Sequence, residues 1–461
     1  MSDQAARPPG ARPTLDRRMG LLAATATNVI AMVGVGPFLV IPFMITSMGG
    51  PHILYAWVAG ALLALCDGLV YAQLGAALPG SGGPYLYLRE AYRPFGLGRL
   101  MAFVYICQVV LVAPLSIASG AVGFADYLRF YWTTMAPWQH HLVAGAVCAA
   151  ITLLLYRDIE SVGRLAVVML AVVLVTVGWV CVAGLFKFSW HQAFAFPPEA
   201  YRLDRDLVFK VGATSVLAMY SYGGYNQVCS IAEEITDPGR TVPRSIVLSI
   251  LAVATIYIVM SSVIIGMVPW QEASQTRTIA SVFVERTFTD PAHGRIGAVV
   301  MTALILFVAA SSLYSLVLAY SRVPFAAARD GDFFHWFARV HPTKHFPHVS
   351  LLTIGAAALP FCFFSLGQLV NWLMQVQILT IFVWQCAGVI LLRRYRRDIP
   401  QPFTMWLYPV PALVSLALWV YVFATGPREG VLFSAAFIGL AALAYAVFLR
   451  THGKRGAQRA G

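Results

Sequence analysis

Residues 251–270 read LAVATIYIVMSSVIIGMVPW, twenty consecutive residues without an ionised side chain. A helix of this length crosses a hydrocarbon core about 30 Å thick. Residues 299–320 form a second run of the same kind. Neither run alternates in period two, as the strands of a membrane barrel do, and only helices or closed barrels satisfy every backbone group in lipid. The two runs therefore predict an all-α membrane protein.

The composition of the whole chain agrees with this class. The 461 residues are 59% hydrophobic and 11% charged, whereas soluble domains carry about a quarter charged residues. The net charge of +12 does not indicate a nucleic-acid surface, because Lys and Arg are spread through the short segments between apolar runs. The seven cysteines all lie inside apolar runs without C-x-x-C spacing, so we interpret them as small core residues.

The apolar runs predict about twelve transmembrane helices. We place them at residues 20–47, 52–77, 98–129, 140–156, 163–186, 208–232, 245–268, 294–324, 347–365, 369–392, 404–424 and 430–449. The run that begins at residue 20 is too long for a signal peptide. With the N-terminus inside, most Lys and Arg lie in cytoplasmic segments. We therefore predict a multi-pass protein of the cell inner (plasma) membrane, with cytoplasmic tails at 1–19 and 450–461 and a transmembrane domain at 20–449.

Two of the predicted spans are interrupted near their middles. The first contains VGVGP at residues 33–37, and the sixth contains YSYGGYN at residues 220–226. Glycine weakens a helix and Pro37 lacks an amide hydrogen, so backbone groups are freed at mid-membrane depth, where they need a ligand or a protein partner. The breaks lie five spans apart, which is the spacing of two inverted repeats that meet at a midplane site. The alternative is that these glycines only permit close helix packing.

Several motifs point to one family. Residues 34–38 read GVGPF, residues 78–85 read LPGSGGPY, and residues 232–244 read AEEITDPGRTVPR. Together they resemble the amino acid/polyamine/organocation (APC) superfamily of permeases. YGGYN at residues 222–226 resembles the L-type amino-acid transporters, whereas GPF and CDG (residues 66–68) resemble the polyamine transporters.

This resemblance implies a LeuT-like fold of five-plus-five inverted repeats with discontinuous helices 1 and 6. In this chain, repeat one is expected at about 20–186, repeat two at about 208–392, and two extra helices at 404–449. It also implies an amino acid or amine as the small-molecule substrate.

An α-amino acid needs compensation for both its carboxylate and its ammonium before it leaves water. Backbone amides freed in the first break, which end a half-helix with partial positive charge, are expected to take the carboxylate. Carbonyls of the sixth span are expected to take the ammonium. The predicted substrate-binding residues are Val33, Gly34, Val35, Gly36, Tyr220, Ser221, Gly223 and Asn226.

Two of these residues have particular expectations attached. Tyr220 stands where family members place an aromatic that closes over the substrate, so the resemblance implies an outer gate; the alternative is an ordinary buried tyrosine. Asn226 stands where cation-selective relatives carry an acid. Because a neutral amide cannot offset a second positive charge, Asn226 favours a neutral amino acid, although it could be only an interhelical hydrogen bond.

Asp67 and Arg164 are the candidates for ion coupling. Asp67 is a carboxylate in the middle of the second span, so it is a candidate for carrying protons or binding an amine, and the alternative is a satisfied bond to a neighbouring hydroxyl. Arg164 opens the fifth span where sodium-independent relatives carry a lysine, and the resemblance implies sodium independence. The alternative for Arg164 is an interfacial arginine that reaches the headgroups.

No motif indicates catalysis or a cofactor. The chain contains no H-E-x-x-H, G-x-S-x-G or P-loop sequence, and His335, His341, His345 and His348 lack partners at a metal-binding spacing. We therefore predict a secondary active transporter, or permease, of neutral amino acids that is sodium-independent and works by proton coupling or exchange with alternating access. The alternatives are a transporter of polyamines or cationic amines, and an amino-acid sensor that does not transport.

Overall fold

The computed structural model describes residues 19–457 except 81–82, 158–161, 330 and 343–345. Within these residues the secondary structure is helical, apart from an isolated backbone bridge between Met19 and Ile235. The predicted N-terminal tail therefore lies outside the described residues except for Met19, and the last helix continues into the predicted C-terminal tail.

The described residues form eighteen α-helices, which we number in chain order. They are α1 (Leu21–Met32), α2 (Gly36–Met48), α3 (Leu54–Ala77), α4 (Pro84–Tyr92), α5 (Gly98–Leu128), α6 (Pro137–Arg157), α7 (Val162–Leu185), α8 (Trp190–Ala193), α9 (Arg205–Tyr222), α10 (Pro238–Met267), α11 (Trp270–Ala273), α12 (Ile279–Thr287), α13 (Pro291–Arg329), α14 (His348–Ala358), α15 (Leu366–Gln377), α16 (Val383–Tyr395), α17 (Val410–Thr425) and α18 (Arg428–Ala457). A π-helical turn, Ile378–Phe382, joins α15 to α16.

Seven helical stretches of the described residues are long and apolar enough to cross a membrane. Six are single helices, and the seventh, Leu366–Tyr395, comprises α15, the π-helical turn and α16. The pair α1 and α2, bent by 49° at its break, makes an eighth span when counted as one. Shorter apolar helices at Ala171–Leu185, His348–Phe363 and Val410–Thr425 coincide, to within one residue at their ends, with parts of three further predicted spans. The predicted all-α membrane class is confirmed, and the number twelve stays a prediction.

Two amphipathic helices, α4 and α12, occupy segments that the sequence analysis treated as loops. Each has nine residues, so neither is long enough to register as a span. They follow α3 and α10, two long helices that pack against each other, and precede α5 and α13, which form a second such pair. Gly68 permits the first contact, because a Cβ at this position would lie 2.5 Å from Ile250 Cδ1.

The structure has both predicted helix breaks. In the first, α1 ends at Met32, Val33 is extended, and α2 begins at Gly36 with Pro37 in its first turn. Proline is tolerated there because the first amides of a helix have no intrahelical acceptor. In the second, α9 ends at Tyr222 and the chain turns through Gly224, whose φ of +114° is strained for any residue with a side chain. A 3-10 segment, Gln227–Glu234, continues the span.

Candidate functional site

A cavity of about 640 Å³ lies between the two helix breaks. At about 30 Å³ for each water molecule in the liquid, it has room for a hydrated solute of amino-acid size. All eight residues predicted to bind substrate line this cavity, four from the first break and four from the second. Further walls come from α3, α5, α7, α13, α15 and the π-helical turn.

The cavity reaches the α1 side of the breaks and not the α2 side. Ile30, on the last turn of α1, lines the cavity with 41% of its surface exposed. By contrast, residues 37–42 at the start of α2 are all buried. Tyr220 lies against this buried end, since a Cβ on Gly36 would be 3.6 Å from its ring. Its hydroxyl lies 3.1 Å from Ser119 Oγ on α5, and its role as a gate stays a prediction.

The first break leaves backbone donors facing the cavity. Among the described residues, the amides of Val35 and Gly36 have no hydrogen-bond acceptor, whereas Val33 N bonds to Val29 O at 2.7 Å and Gly34 N to Met32 O at 3.1 Å. Both free amides lie at the N-terminus of α2, where the helix dipole adds partial positive charge. This arrangement suits an anionic group such as a carboxylate.

Tyr257 of α10 connects the two breaks, and sequence reasoning missed it. Its hydroxyl lies 2.7 Å from Met32 O and 3.2 Å from Ser221 O, so it can donate to a carbonyl of either break. The ring is fully buried and packs against Trp57 and Tyr222. The Ser221 carbonyl belongs to the sixth span, whose carbonyls the sequence analysis expects to bind the ammonium. A hydrogen bond from the Tyr257 hydroxyl helps to fix the position of this carbonyl.

The polar groups of the cavity are uncharged. None of the described lining residues is Asp, Glu, Lys, Arg or His. The polar side chains are Thr27, Tyr71, Tyr105, Gln108, Ser116, Tyr220, Ser221, Tyr225, Asn226, Gln227, Ser230, Ser311, Ser312, Ser315, Tyr320 and Gln377. The described wall therefore offers hydrogen bonds from side chains and partial charges from the helix ends, but no full charge.

The family model described as amino acid permease matches residues 19–444. The chain belongs to this family. It is 26% identical to the branched-chain amino acid permease BcaP of Bacillus subtilis (strain 168), over 89% of this chain and 88% of the relative. It is also 26% identical to cationic amino acid transporter 4 of Mus musculus, over 84% of this chain and 61% of the relative. Its identity to the methylthioribose transporter of Bacillus subtilis (strain 168) is 23%, over 95% of both chains.

These matches confirm the predicted superfamily. The permease is a multi-pass membrane protein that transports small molecules of the amino-acid class, and it is not an enzyme. These matches do not identify the substrate or the coupling ion, which depend on the residues of the site.

Asp67 lies outside the cavity wall, in a buried cluster of donors. Its side chain is 0% exposed. Oδ2 accepts a hydrogen bond from Tyr225 at 2.5 Å, and Oδ1 accepts from Trp419 Nε1 at 2.9 Å, Ser415 Oγ at 3.1 Å and Cys386 Sγ at 3.6 Å. Asp67 thereby connects α3 to the second break, α16 and α17, and Tyr225 is its contact that also lines the cavity.

Arg164 lies closer to the N-terminus of α7 than do the residues of that helix that approach the first break. It lies in the first turn of α7, and its side chain is outside the described residues. The residues of α7 that approach the first break are Val173, Thr176 and Val177, and Val173 is nine positions further on, about 14 Å along a helix. The Thr176 hydroxyl donates to Val172 O at 2.7 Å.

The described histidines from position 335 to position 348 lie beyond the C-terminus of α13 and do not line the cavity. His341 stacks on Phe346, with ring centroids 5.5 Å apart, and meets His348 edge-on at the same separation. His345 lies outside the described residues. No group of three metal-ligating side chains occurs in the part of the chain that the structure describes.

Proposed function

We propose that this permease is a sodium-independent secondary active transporter of neutral amino acids, driven by proton coupling or by exchange. The uncharged described wall of the cavity carries this proposal. A cationic substrate brings a second positive charge that must be desolvated, and this is favourable only beside a carboxylate. Asn226 contributes an amide at the position where an acid would serve that purpose, and Asp67 is bonded to four donors away from the wall.

The substrate is held by backbone groups of the two breaks. Its carboxylate accepts hydrogen bonds from the amides of Val35 and Gly36, and its ammonium donates to carbonyls of the second break, including that of Tyr220. The Tyr220 ring closes the α2 side, and release of its contact with Ser119 opens that side. The free amides and the position of Tyr220 against Gly36 support this binding mode.

The same breaks take part in alternating access between two inverted repeats. Three correspondences support a five-plus-five arrangement. The span of α1 and α2 is broken, and so is the span of α9 and the 3-10 segment after it. Helix α3 packs against α10 and α5 against α13, and the short helices α4 and α12 occupy equivalent places between them. We place both termini in the cytoplasm of a cell whose inner (plasma) membrane holds the permease. The cavity then opens to the cytoplasmic side.

The residues near the first break and around Asp67 bear on the coupling ion. The wall of α7 that meets the first break consists of Val173, Thr176 and Val177, and the Thr176 hydroxyl is already bonded within its helix. The described residues of α7 therefore offer no free side-chain oxygen to a sodium ion at this break. Asp67 is the candidate proton carrier, because Tyr225 connects it to the cavity. Exchange without protons is the alternative if Asp67 is only structural.

A transporter of cationic amines is the second candidate. The name of cationic amino acid transporter 4, a relative at 26% identity, favours it, whereas the uncharged described wall opposes it. A sensor that binds amino acids without moving them is the third candidate, and counterflow separates it from a carrier because a sensor does not exchange solute across the bilayer.

The deciding experiment is counterflow into proteoliposomes loaded with unlabelled substrate, using leucine, glutamine, arginine and putrescine as probes. We expect labelled leucine or glutamine to accumulate to the same extent in sodium and choline buffers. Liposomes without protein and liposomes loaded with buffer alone are the controls. Exchange of arginine or putrescine alone would establish the cationic candidate, stimulation by sodium would refute sodium independence, and binding without exchange would identify a sensor.

A further inference from the structure

The cavity extends well beyond the two breaks on the α1 side. On α5, Ser116 and Gly120 line it near the breaks, whereas Tyr105 and Gln108 line it further down the same helix. Gln108 precedes Ser116 by eight residues, about 12 Å along α5. We call the part of the cavity lined by Tyr71, Tyr105, Gln108, Asn226 and Tyr320 the inner chamber. An amino acid held at the breaks leaves much of this chamber empty.

Side chains from three helices converge in the inner chamber. Tyr71 of α3, Tyr105 of α5 and Tyr320 of α13 all line it. The side chain of Asn226 lies close to the Tyr71 hydroxyl. Gln108 is one turn beyond Tyr105, on the same face of α5. The chamber is therefore lined by two carboxamides, those of Gln108 and Asn226, and by the phenol hydroxyls of three tyrosines.

Two polar atoms of this chamber are buried and make no hydrogen bond of good geometry to the described residues, although Asn226 lies near one of them. They are Oε1 of Gln108, whose residue is 4% exposed, and the hydroxyl of Tyr71, whose residue is fully buried. Both residues line the cavity. A buried polar atom without a partner costs free energy, and a ligand that supplies the missing partners recovers that cost.

We propose that the inner chamber is a second binding position, which selects neutral solutes whose side chain both donates and accepts hydrogen bonds, with Gln108 and Tyr71 as the specificity-determining residues. A carboxamide side chain pairs with the Gln108 amide through one donor and one acceptor and leaves a further group for the Tyr71 hydroxyl. An aliphatic side chain of similar size leaves both buried atoms unpaired, and sites of this kind reject such analogues strongly.

This position rests on the proposed function, because it lies on the route between the breaks and the α1 side. It favours glutamine over leucine at one face of the membrane. A contact at the breaks acts on a substrate arriving from either face, whereas Gln108 acts first on a substrate that enters or leaves by the α1 side. The inference therefore predicts an asymmetry between the faces.

The test is counterflow in proteoliposomes of uniform protein orientation, with half-saturation concentrations for glutamine and leucine measured at each face. We expect the wild-type protein to prefer glutamine at the α1 face by about tenfold. The nearly isosteric Gln108→Met should abolish this preference and leave the opposite face unchanged within about twofold. Tyr71→Phe, which removes only a hydroxyl, should weaken the preference in the same direction and decides the matter if Gln108→Met does not fold.

Gln73→Met is the matched control. Gln73 is also a buried glutamine of the transmembrane helices, but it lies outside the cavity wall and pairs with Gln401 and the Met405 amide. It should not change the ratio between the two solutes at either face. An unchanged ratio in Gln108→Met and Tyr71→Phe, or an equal change at both faces, would overturn the second position. Absence of any neutral amino-acid counterflow in the wild-type protein would instead refute the proposed function.

Discussion

Replacement of Asp67 by asparagine or by leucine separates its charge from its hydrogen bonds. In Asp67→Asn, the amide oxygen takes the place of Oδ1, which accepts from Trp419, Ser415 and Cys386. The amide nitrogen takes the place of Oδ2 and donates to the Tyr225 hydroxyl, which turns to accept. Asparagine therefore keeps four links and loses only the charge, whereas leucine keeps none.

The four donors set the size of the difference. A buried donor left without an acceptor costs about 1–3 kcal/mol. In Asp67→Leu the indole of Trp419 and the hydroxyl of Tyr225 alone lose acceptors at 2.9 and 2.5 Å. Removal of a buried carboxylate without a basic partner in the cluster offsets part of this loss. We expect Asp67→Leu to be roughly 3 kcal/mol less stable than Asp67→Asn.

The assay has two parts on the same purified variants. Thermal unfolding followed by tryptophan fluorescence in one detergent should place the apparent melting temperature of Asp67→Leu several degrees below that of Asp67→Asn. Because such unfolding is often irreversible, the two variants must be scanned at one rate. Counterflow and accumulation driven by a pH gradient are then measured for Asp67→Asn, which should retain counterflow and lose the accumulation.

Either part can refute the reasoning. Equal melting temperatures for the two variants would show that the donors around Asp67 do not depend on it. Accumulation by Asp67→Asn that follows the pH gradient as in the wild-type protein would remove Asp67 from proton coupling. Asp67 would then be a structural carboxylate whose only role is to accept the hydrogen bonds around it.

Three further predictions concern the cavity and its surroundings. Asn226→Asp should raise arginine counterflow at least tenfold relative to leucine, because opposite charges about 4 Å apart attract by about 4 kcal/mol at an effective dielectric constant near 20 before desolvation; no gain would count against Asn226 as a selectivity residue. Tyr257→Phe should slow exchange of all probes about tenfold without reordering them, since it frees both carbonyls that the hydroxyl approaches; an altered order of probes would contradict a positioning role. Partial burial raises the pKa of Glu90, but the hydrogen bond and the charge of Arg396 outweigh burial and hold that pKa below its ordinary value. Glu90→Gln should therefore lower the stability of the protein by up to about 1 kcal/mol at neutral pH. That loss should vanish as the pH falls through the lowered pKa, and a loss independent of pH in melting experiments would exclude the ion pair as its cause.

The features predicted from the sequence are those that local signals determine. Continuous apolar runs predict membrane helices wherever they are long, and Gly34, Gly36 and Pro37 predict the first break because they weaken a helix without help from distant residues. The short helices α4 and α12 escaped prediction because their apolar residues cover only one face. In the structure α4 packs against α5 and α12 against α13, and the sequence alone does not name these partners.

The roles of the residues that organise the site could not be predicted from the sequence for a related reason. Tyr257 is one tyrosine within an apolar run, and its partners Met32 and Ser221 are 225 and 36 positions away. Asp67 stood out as a carboxylate in a span, but its donors on α16 and α17 are 319 to 352 positions away. Both roles arise from tertiary contacts, so a sequence can nominate the residue type without naming the partner.

The contacts around α1 constrain how the α1 side of the cavity closes. Met19 N donates to Glu234 O and Thr236 N donates to Met19 O, both at 3.0 Å, and Val228 N donates to the side chain of Asn28 at 2.9 Å. The first two bonds join Met19, just before α1, to the C-terminal end of the 3-10 segment Gln227–Glu234 and the residues after it, and the third joins α1 itself to the start of that segment. Since both elements border the cavity on the α1 side, a movement that closes this side at least cost carries them together.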